Sequence, residues 1–233
     1  MKAIFNKHKY KYEKRVNTIR ISYMSQINSL KKLVSNIRGG PAPHFEVVHA
    51  IMAIRIIGDH PGIGRKELSR RLGLGEGSVR TLLSKLKSND LVTITKEGCT
   101  LSANGIEIYN WLNEKISSIY EIDLREIWEH QFSVGIVVKN GERLVRRGIE
   151  QRDAAIKFGA AGAMTLILKS GKLLMPEITN LSEEFPEFAS KLIDNFFLKE
   201  GDVLIIAGAS NLYDASYGAL AAALLTLGVF TNP

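Results

Sequence analysis

The sequence is poor in the residues from which disulfides and metal centres are built. It holds one cysteine, Cys99, in 233 residues, so neither an intramolecular disulfide nor a cysteine-rich zinc site is expected. Its five histidines lack the four-residue spacing of common helical zinc sites. We therefore expect no metal and no cofactor, and we assign the histidines to ordinary surface or core positions.

Long apolar runs are also missing. No stretch approaches the roughly 18 consecutive apolar residues that a membrane span needs. The first residues carry lysines where a signal peptide would carry its apolar segment. The expectation is a cytoplasmic protein without membrane contact, and a hydrophobic content of 45% is enough for two buried cores.

The sequence also lacks a recognisable catalytic constellation. An enzyme would need a nucleophile with its base, a metal cluster, or a phosphate-cradling loop tied to a reacting group. Residues 121–233 contain no cysteine, and their one histidine, His130, lies near the start of that stretch. The sequence therefore predicts that the chain is not an enzyme.

The net charge of +7 is distributed unevenly along the chain. Residues 1–40 hold ten Lys/Arg against one acid, residues 41–120 ten against eight, and residues 121–233 eleven against fifteen. A basic front and an acidic rear are typical of a protein whose N-terminal part meets a polyanion, although an incidental solvated tail is the alternative. We expect a basic arm and amphipathic helix in residues 1–40, a DNA-binding domain in 41–120, and an effector-sensing or dimerisation domain in 121–233.

An amphipathic pattern occupies residues 16–37, where apolar positions recur at steps of three and four. Gly39, Gly40 and Pro41 would end such a helix. A dimerisation helix and a helix packed on its own neighbouring domain explain the pattern equally well. A third interpretation is that Met24 is the true start of the protein.

The region from residue 44 to residue 119 has the periodicity of a winged helix-turn-helix. Helices are expected at 44–59, 64–72, 76–89 and 102–119, with a two-stranded hairpin at 91–95 and 99–101 between the last two. The segment GIGRKELSRRLGLGEGSVRTLLSKLKSNDLVTIT resembles winged-helix regulators of the MarR-like kind from bacteria and archaea, over about a third of the chain. That family often has a glycine before a Leu-Val pair, whereas this chain has Asn89-Asp90 before Leu91-Val92. We expect Asn89 to adopt the left-handed backbone conformation, which asparagine tolerates.

This resemblance implies binding to double-stranded DNA through the helix at 76–89. Val79, Leu82, Leu83 and Leu86 would be buried as one stripe, leaving the other face for the major groove. Arg80 is the candidate for a bidentate guanine contact, and Arg70 and Arg71 are not expected to face the same way. The alternative use of such a domain is protein contact. The predicted DNA-binding residues are Arg65, Lys66, Arg70, Ser78, Arg80, Thr81, Ser84, Lys85 and Lys96.

The C-terminal half alternates between strand and helix patterns. The pattern predicts a helical linker at 111–128, and then a strand at 132–139 that turns at Asn140-Gly141 into a returning strand at 142–147. Further strands are expected at 163–168, 172–175 and 202–207, and helices at 150–158, 182–197 and 213–227. The predicted fold class is α+β, with a winged helix followed by a mixed α/β sandwich.

Two segments of this half, GIEQRDAAIKFGAAGAMTLILKSGKLLMP and EGDVLIIAGASNLYDASYGALAAALLTL, resemble a C-terminal domain of uncharacterised role in archaeal regulators. The resemblance implies fold and context only. The turn with Gly208, Ser210 and Asn211 could bind an anion at a helix N-terminus or could simply be a capped turn. Arg152 and Asp153 are a further ligand candidate or a plain ion pair.

The function that these patterns favour is a DNA-binding transcription regulator that acts as a homodimer. A small acidic or phosphorylated metabolite is the candidate effector. One alternative is a small-molecule binding protein or enzyme with an accessory winged helix, and another is an architectural DNA-binding protein.

Overall fold

A computed structural model describes residues 46–125 and 127–229 of the chain. The predicted basic arm and the amphipathic segment at 16–37 lie outside the described residues. The N-terminal part contains α1 (Val47–Asp59), α2 (Arg65–Leu72), α3 (Glu76–Ser88), the hairpin β1 (Val92–Thr95) and β2 (Gly98–Leu101), and α4 (Ala103–Lys115). The predicted order of three helices, a two-stranded hairpin and a helix is confirmed, although α1 begins three residues later and α4 ends four residues earlier than expected.

Two short turns position α3 between its neighbours. Gly73 ends α2 with a φ of 62°, a left-handed conformation that glycine adopts without strain. After α3 the left-handed residue is Asp90, with a φ of 54°, whereas Asn89 has a φ of −94°. The expectation that Asn89 would take this conformation is therefore wrong, because the residue directly before Leu91 makes the turn.

The hairpin is anchored to the loop that follows α1. The backbone N–H of Cys99 donates to the carbonyl of Ile63 at 2.9 Å, and the N–H of Gly62 donates to the carbonyl of Cys99 at 2.9 Å. A Cβ at Gly98, whose φ is 127°, would collide with the carbonyl of Gly62. The close backbone approach therefore requires glycine at position 98, and it holds the β1–β2 hairpin, here called the wing, against the loop after α1.

The linker between the two halves is extended, which corrects the prediction of a helix through residue 128. The chain leaves α4 at Lys115, and Ile116 forms a bridge with Val138 before β3 (Tyr120–Glu121) pairs with β4 (Phe132–Val138). The N–H of Ser117 donates to the carbonyl of Val137 at 2.9 Å. The open edge of β4 thus supplies hydrogen-bond partners that override the local helix preference.

The C-terminal half is built on a six-stranded antiparallel sheet with the order β3-β4-β8-β5-β6-β7. Its remaining strands are β5 (Gly162–Lys169), β6 (Lys172–Met175), β7 (Thr179–Asn180) and β8 (Val203–Ala209). Helices α5 (Ile149–Lys157) and α8 (Leu212–Thr226) cover one face, while α6 (Leu181–Glu184) and α7 (Pro186–Asn195) lie on the other. The molecule is therefore α+β, as predicted, and the predicted helix at 182–197 is divided in two at Pro186.

The predicted hairpin at Asn140-Gly141 does not form. Asn140 does turn, with a φ of 53°, but residues Glu142–Leu144 form a 3₁₀ helix and β4 pairs with β3 and β8. The carboxylate of Asp202 accepts the N–H of Asn140 at 2.9 Å, and the carbonyl of Gly201 accepts the N–H of Glu142 at 3.0 Å. The turn is thus held by the loop before β8 and not by a returning strand.

Alternate residues of β8 point into two different cores. Val203, Ile205 and Ala207 belong to a cluster with α5 and α8, whereas Leu204 and Ile206 pack with α7. The first cluster continues without interruption into the apolar stripes of α1 and α3. The helical N-terminal part and one face of the sheet therefore share a single core.

No helix within residues 46–125 and 127–229 combines the length and the apolar character needed to cross a membrane.

Candidate nucleic-acid interface

Helix α3 is amphipathic in the way the sequence predicts. Val79, Leu82 and Leu86 are fully buried and Leu83 is 3% exposed, so the stripe is sealed into the core. Arg80, Thr81 and Ser84 are exposed on the other side. The buried stripe holds the helix rigidly, and the exposed side is free to approach a groove.

The other predicted contact residues of α3 lie at the edges of this exposed side. Ser78, in the first turn, and Lys85, in the third, are half-buried. The hydroxyl of Thr81 donates to the carbonyl of Gly77 at 3.2 Å and keeps its acceptor capacity. Arg80 therefore presents the most extended donor group of the first two turns.

The cations of α2 fall into two groups. Arg65 and Lys66 are exposed at its N-terminal end. Arg70 instead donates from Nε and Nη2 to the Glu67 carboxylate at 2.9 and 2.6 Å. Arg71 donates from Nε to the same carboxylate at 2.7 Å, and its Nη1 lies 2.6 Å from Nε2 of His60.

Both guanidinium groups thus converge on one carboxylate, which corrects the expectation that Arg70 and Arg71 face different ways. Positions three and four residues after Glu67 lie on the same helix face as it does, so one acid can serve both. Hydrogen bonds from Arg70 and then from Arg71 lower the pKa of Glu67 to about 2. A DNA phosphate would have to compete with Glu67 for these two cations.

The wing carries Lys96 at its tip, where it is exposed. The neighbouring N–H of Glu97 donates to the Thr95 hydroxyl at 3.2 Å, which closes the turn. A hydrogen bond from Thr95 is also the main reason that the pKa of Glu97 is lowered. Ile94 in β1, two residues before Lys96, is 39% exposed. The wing therefore presents an exposed apolar side chain as well as a cation.

Two tyrosines of α8 form hydrogen bonds with the C-terminal end of α2. The sequence pattern did not predict this contact. The hydroxyl of Tyr217 donates to the carbonyl of Leu72 at 2.6 Å, and that of Tyr213 to the carbonyl of Arg70 at 2.9 Å. The ring of Tyr217 lies 4.2 Å from that of His49 on α1. Burial raises the pKa of Tyr217 and lowers that of His49. Two tyrosines four residues apart in an alanine-rich helix were the available signal.

Comparison with known proteins places the chain in a family. Residues 49–107 match the family model described as "PH0730-like, N-terminal domain", and residues 130–227 match a domain of unknown function, DUF4443. The structure is similar to that of a hypothetical protein, PH0730, from Pyrococcus horikoshii OT3, with 36% sequence identity and a TM-score of 0.59. The similarity covers 76% of this chain and 91% of that chain.

The chain belongs to the PH0730-like family. This result fits the expected C-terminal domain of uncharacterised role. No protein with a curated description matches the chain.

In this member of the PH0730-like family, the predicted ligand-binding residues fall into two separate groups. Helix α5 runs antiparallel to α8, because Gln151 near its start bonds Thr226 at 3.1 Å and Gly159 after its end lies against Asp214. Arg152 and Asp153 therefore sit near the C-terminal end of α8, whereas Gly208, Ser210 and Asn211 sit at its N-terminal end. About 18 Å of helix separates the two ends. The two groups do not form one site.

Each group also has a local structural role. Asn211 caps α8 by accepting the N–H of Asp214 at 3.0 Å. Gly208 lies in β8 directly against the ring of His130, where a Cβ would collide. Arg152 and Asp153 form an exposed ion pair at 3.2 Å, and Ser210 is exposed.

An open groove of about 920 Å³ lies between the linker and α7, on the face of the sheet opposite to α5 and α8. Its lining is mainly apolar and includes Ile122, Leu124, Phe188 and Leu192, together with two cations and two acids, Arg125, Lys191, Asp123 and Glu187. None of the predicted ligand-binding residues lines it.

Proposed function

We propose that this protein binds duplex DNA through the exposed side of α3 and acts as a transcription regulator. The observation that carries the proposal is the division of α3 into a sealed leucine stripe and an open polar side with Arg80 at its centre. A recognition helix needs this combination, because it must be rigid and yet reach base edges.

The charges around α3 support the same function. Residues 64–96 hold eight Lys/Arg against three acids. Neutralising phosphates with such cations releases counterions and supplies affinity for any sequence. Arg65, Lys66 and Lys96 would serve this purpose, since they are exposed and lie on the elements that flank α3.

Sequence readout would come from α3 itself. The planar fork of Arg80 can donate to O6 and N7 of one guanine, which discriminates against other bases by about 1 to 3 kcal/mol. Ser78, Thr81 and Ser84 carry short hydroxyl groups that can bond either a base or a phosphate. Lys85, in the third turn of α3, would contact a phosphate beside the groove.

Genomic footprinting of the full chain beside Arg80→Ala tests this proposal. We expect the wild type to protect discrete sites, and Arg80→Ala to lose selectivity more than total affinity. Lys191→Ala is the matched control, because it removes one exposed cation from α7 without touching α3. An unchanged footprint for Arg80→Ala would refute the role of Arg80. Uniform coating of random DNA by the wild type would indicate an architectural protein instead of a regulator.

A further inference from the structure

The turn between α2 and α3 is covered by a side chain of the C-terminal half. Tyr213, in the first turn of α8, lies with its ring against Gly73. A Cβ at Gly73 would stand 2.8 Å from Cγ and Cδ1 of that ring, whereas non-bonded carbon atoms rest at about 3.5 to 4.0 Å. The ring therefore occupies the space that a side chain at position 73 would need.

The hydroxyl of Tyr213 reaches the same turn. The carbonyl of Arg70 accepts this hydroxyl at 2.9 Å, and it also accepts the backbone N–H of Gly73 at 3.2 Å. Tyr213 thus contacts both residues whose backbone hydrogen bond closes the turn. Because the side chain is held at its ring and at its hydroxyl, it cannot rotate away from Gly73 without losing the bond to Arg70.

The beginning of α3 has little to fix it locally. Its N-cap residue is Gly75, which makes no side-chain hydrogen bond to the first turn. Serine, threonine, aspartate or asparagine at that position would accept an N–H of the first turn and hold it. Two residues separate Gly73 from Glu76, the first residue of α3. A contact on Gly73 therefore bears directly on the direction in which α3 leaves the turn.

We propose that Tyr213 is a positioning residue for α3, and that its ring, acting through Gly73, keeps Arg80 at the angle that a base contact needs. This role rests on the proposed binding of DNA through α3. A hydrogen bond weakens steeply as its donor and acceptor lose alignment, and a bidentate contact needs two aligned bonds at once. Contacts with phosphates depend mainly on charge. Tyr213 therefore controls sequence selectivity and not the affinity for DNA in general.

Competition binding by Tyr213→Ala tests this role, with a duplex that the wild type protects and a random duplex of the same length. The ratio of the two affinities should fall about tenfold, because the bidentate contact is misaligned. Affinity for the random duplex and its salt dependence should not change, since no cation is removed. Tyr213→Phe keeps the ring and should retain the wild-type ratio. Tyr120→Ala is the matched control, because Tyr120 is also exposed but lies in β3.

A double-mutant cycle tests the contact without DNA. Gly73→Ala adds the Cβ that the ring excludes, so it should lower the urea midpoint of the full chain. In the Tyr213→Ala background the ring is absent, and the same substitution should lower the midpoint by less. The strain of a left-handed alanine is present in both backgrounds and cancels in the comparison.

The outcomes separate this role from the proposed function. Wild-type selectivity in Tyr213→Ala, or equal midpoint shifts in the two backgrounds, would overturn the role of Tyr213 and leave DNA binding by α3 intact. Loss of selectivity in Tyr213→Phe would attribute the effect to the hydroxyl and overturn the role of the ring. A wild type that protects no discrete site would refute the proposed function itself, and the role of Tyr213 with it.

Discussion

The hydroxyl of Tyr217 donates a 2.6 Å hydrogen bond to the backbone carbonyl of Leu72, 145 residues earlier in the chain. Leu72 ends α2, and the last carbonyls of a helix have no partner within it. The C-terminal half thus completes the helix that leads into the turn before α3. The orientation of the proposed recognition helix is thereby tied to the sheet domain.

Tyr217→Phe is expected to destabilise the fold by about 1 to 3 kcal/mol, because it leaves the buried Leu72 carbonyl without its partner. Chemical denaturation measures this loss, and amide hydrogen exchange should show faster opening at the end of α2 and at Gly73. Tyr213→Phe is the comparison, since Tyr213 is 44% exposed and water can replace its bond to Arg70. Equal effects of the two substitutions would show that burial does not determine the strength of this connection.

Glu67→Gln is expected to strengthen binding to all DNA sequences. The substitution removes the negative charge that holds Arg70 and Arg71, so a phosphate competes for both guanidinium groups with a neutral amide oxygen instead of a carboxylate. A binding titration over a salt series should show a steeper dependence, by up to about one unit for each cation released. An unaltered salt dependence would mean that neither arginine faces the duplex.

The same carboxylate gives the fold a pH dependence in acid. The pKa of Glu67 in the folded protein is about 2, below its ordinary value of 4.5. A lowered pKa stabilises the folded state above the ordinary value, and this contribution is lost as the pH falls from 4.5 towards 2. The stability difference between wild type and Glu67→Gln should therefore be constant near pH 6 and shrink by pH 3, as measured by urea denaturation. A difference that does not change with pH would contradict this assignment.

Lys96→Ala is expected to weaken binding to every DNA sequence and to reduce the salt dependence by about one unit. Lys96 lies at the exposed tip of the wing, where it can reach a phosphate but carries no planar donor pair for a base. A salt series beside Lys191→Ala distinguishes the wing from a distant cation. An unaltered slope would remove the wing from the contact surface.

Asn211→Ala is expected to destabilise the protein by about 1 kcal/mol, because α8 loses the side chain that accepts the N–H of Asp214. Thermal unfolding measures the loss. Asn211→Ser is the conservative control, since a serine hydroxyl can accept the same N–H and, like alanine, serine lacks the amide that donates to the Asp214 carboxylate at 2.6 Å. A stable Asn211→Ala variant would show that the cap is dispensable.

The local sequence pattern was sufficient for elements that bury one or both faces along their whole length. The three-and-four spacing of Val79, Leu82, Leu83 and Leu86 predicts α3 and its orientation, and the structure buries all four. The continuous apolar run before Gly208 likewise predicts β8, and it is the central buried strand that pairs with β4 and β5. In both cases the hydrophobic effect acts on neighbouring residues, and it leaves three-and-four spacing in α3, which buries one face, and a continuous apolar run in β8, which buries both faces.

Local pattern failed where distant residues decided the conformation. The linker after Lys115 is extended because the edge of β4 offers it backbone partners, and Asn140 turns without a returning strand because Asp202 holds its N–H. The convergence of Arg70 and Arg71 on Glu67 follows from helix spacing, because both arginines lie within one turn of that carboxylate. The hydrogen bonds from α8 to α2 join residues more than 140 positions apart. The spacing of apolar residues within a segment does not predict which distant segment will contact it.

The sequence by itself therefore determined the amphipathic elements, the wing, the α+β class and the basic character of the α3 surface, since each depends on the order of neighbouring side chains. Only the tertiary structure decided that α8 supports the helix-turn-helix, that the linker joins the sheet, and that the two groups of predicted ligand residues lie at opposite ends of one helix. The physical reason is that hydrogen bonds and packing between distant segments depend on where the folded chain brings them together, and neither composition nor spacing records that position.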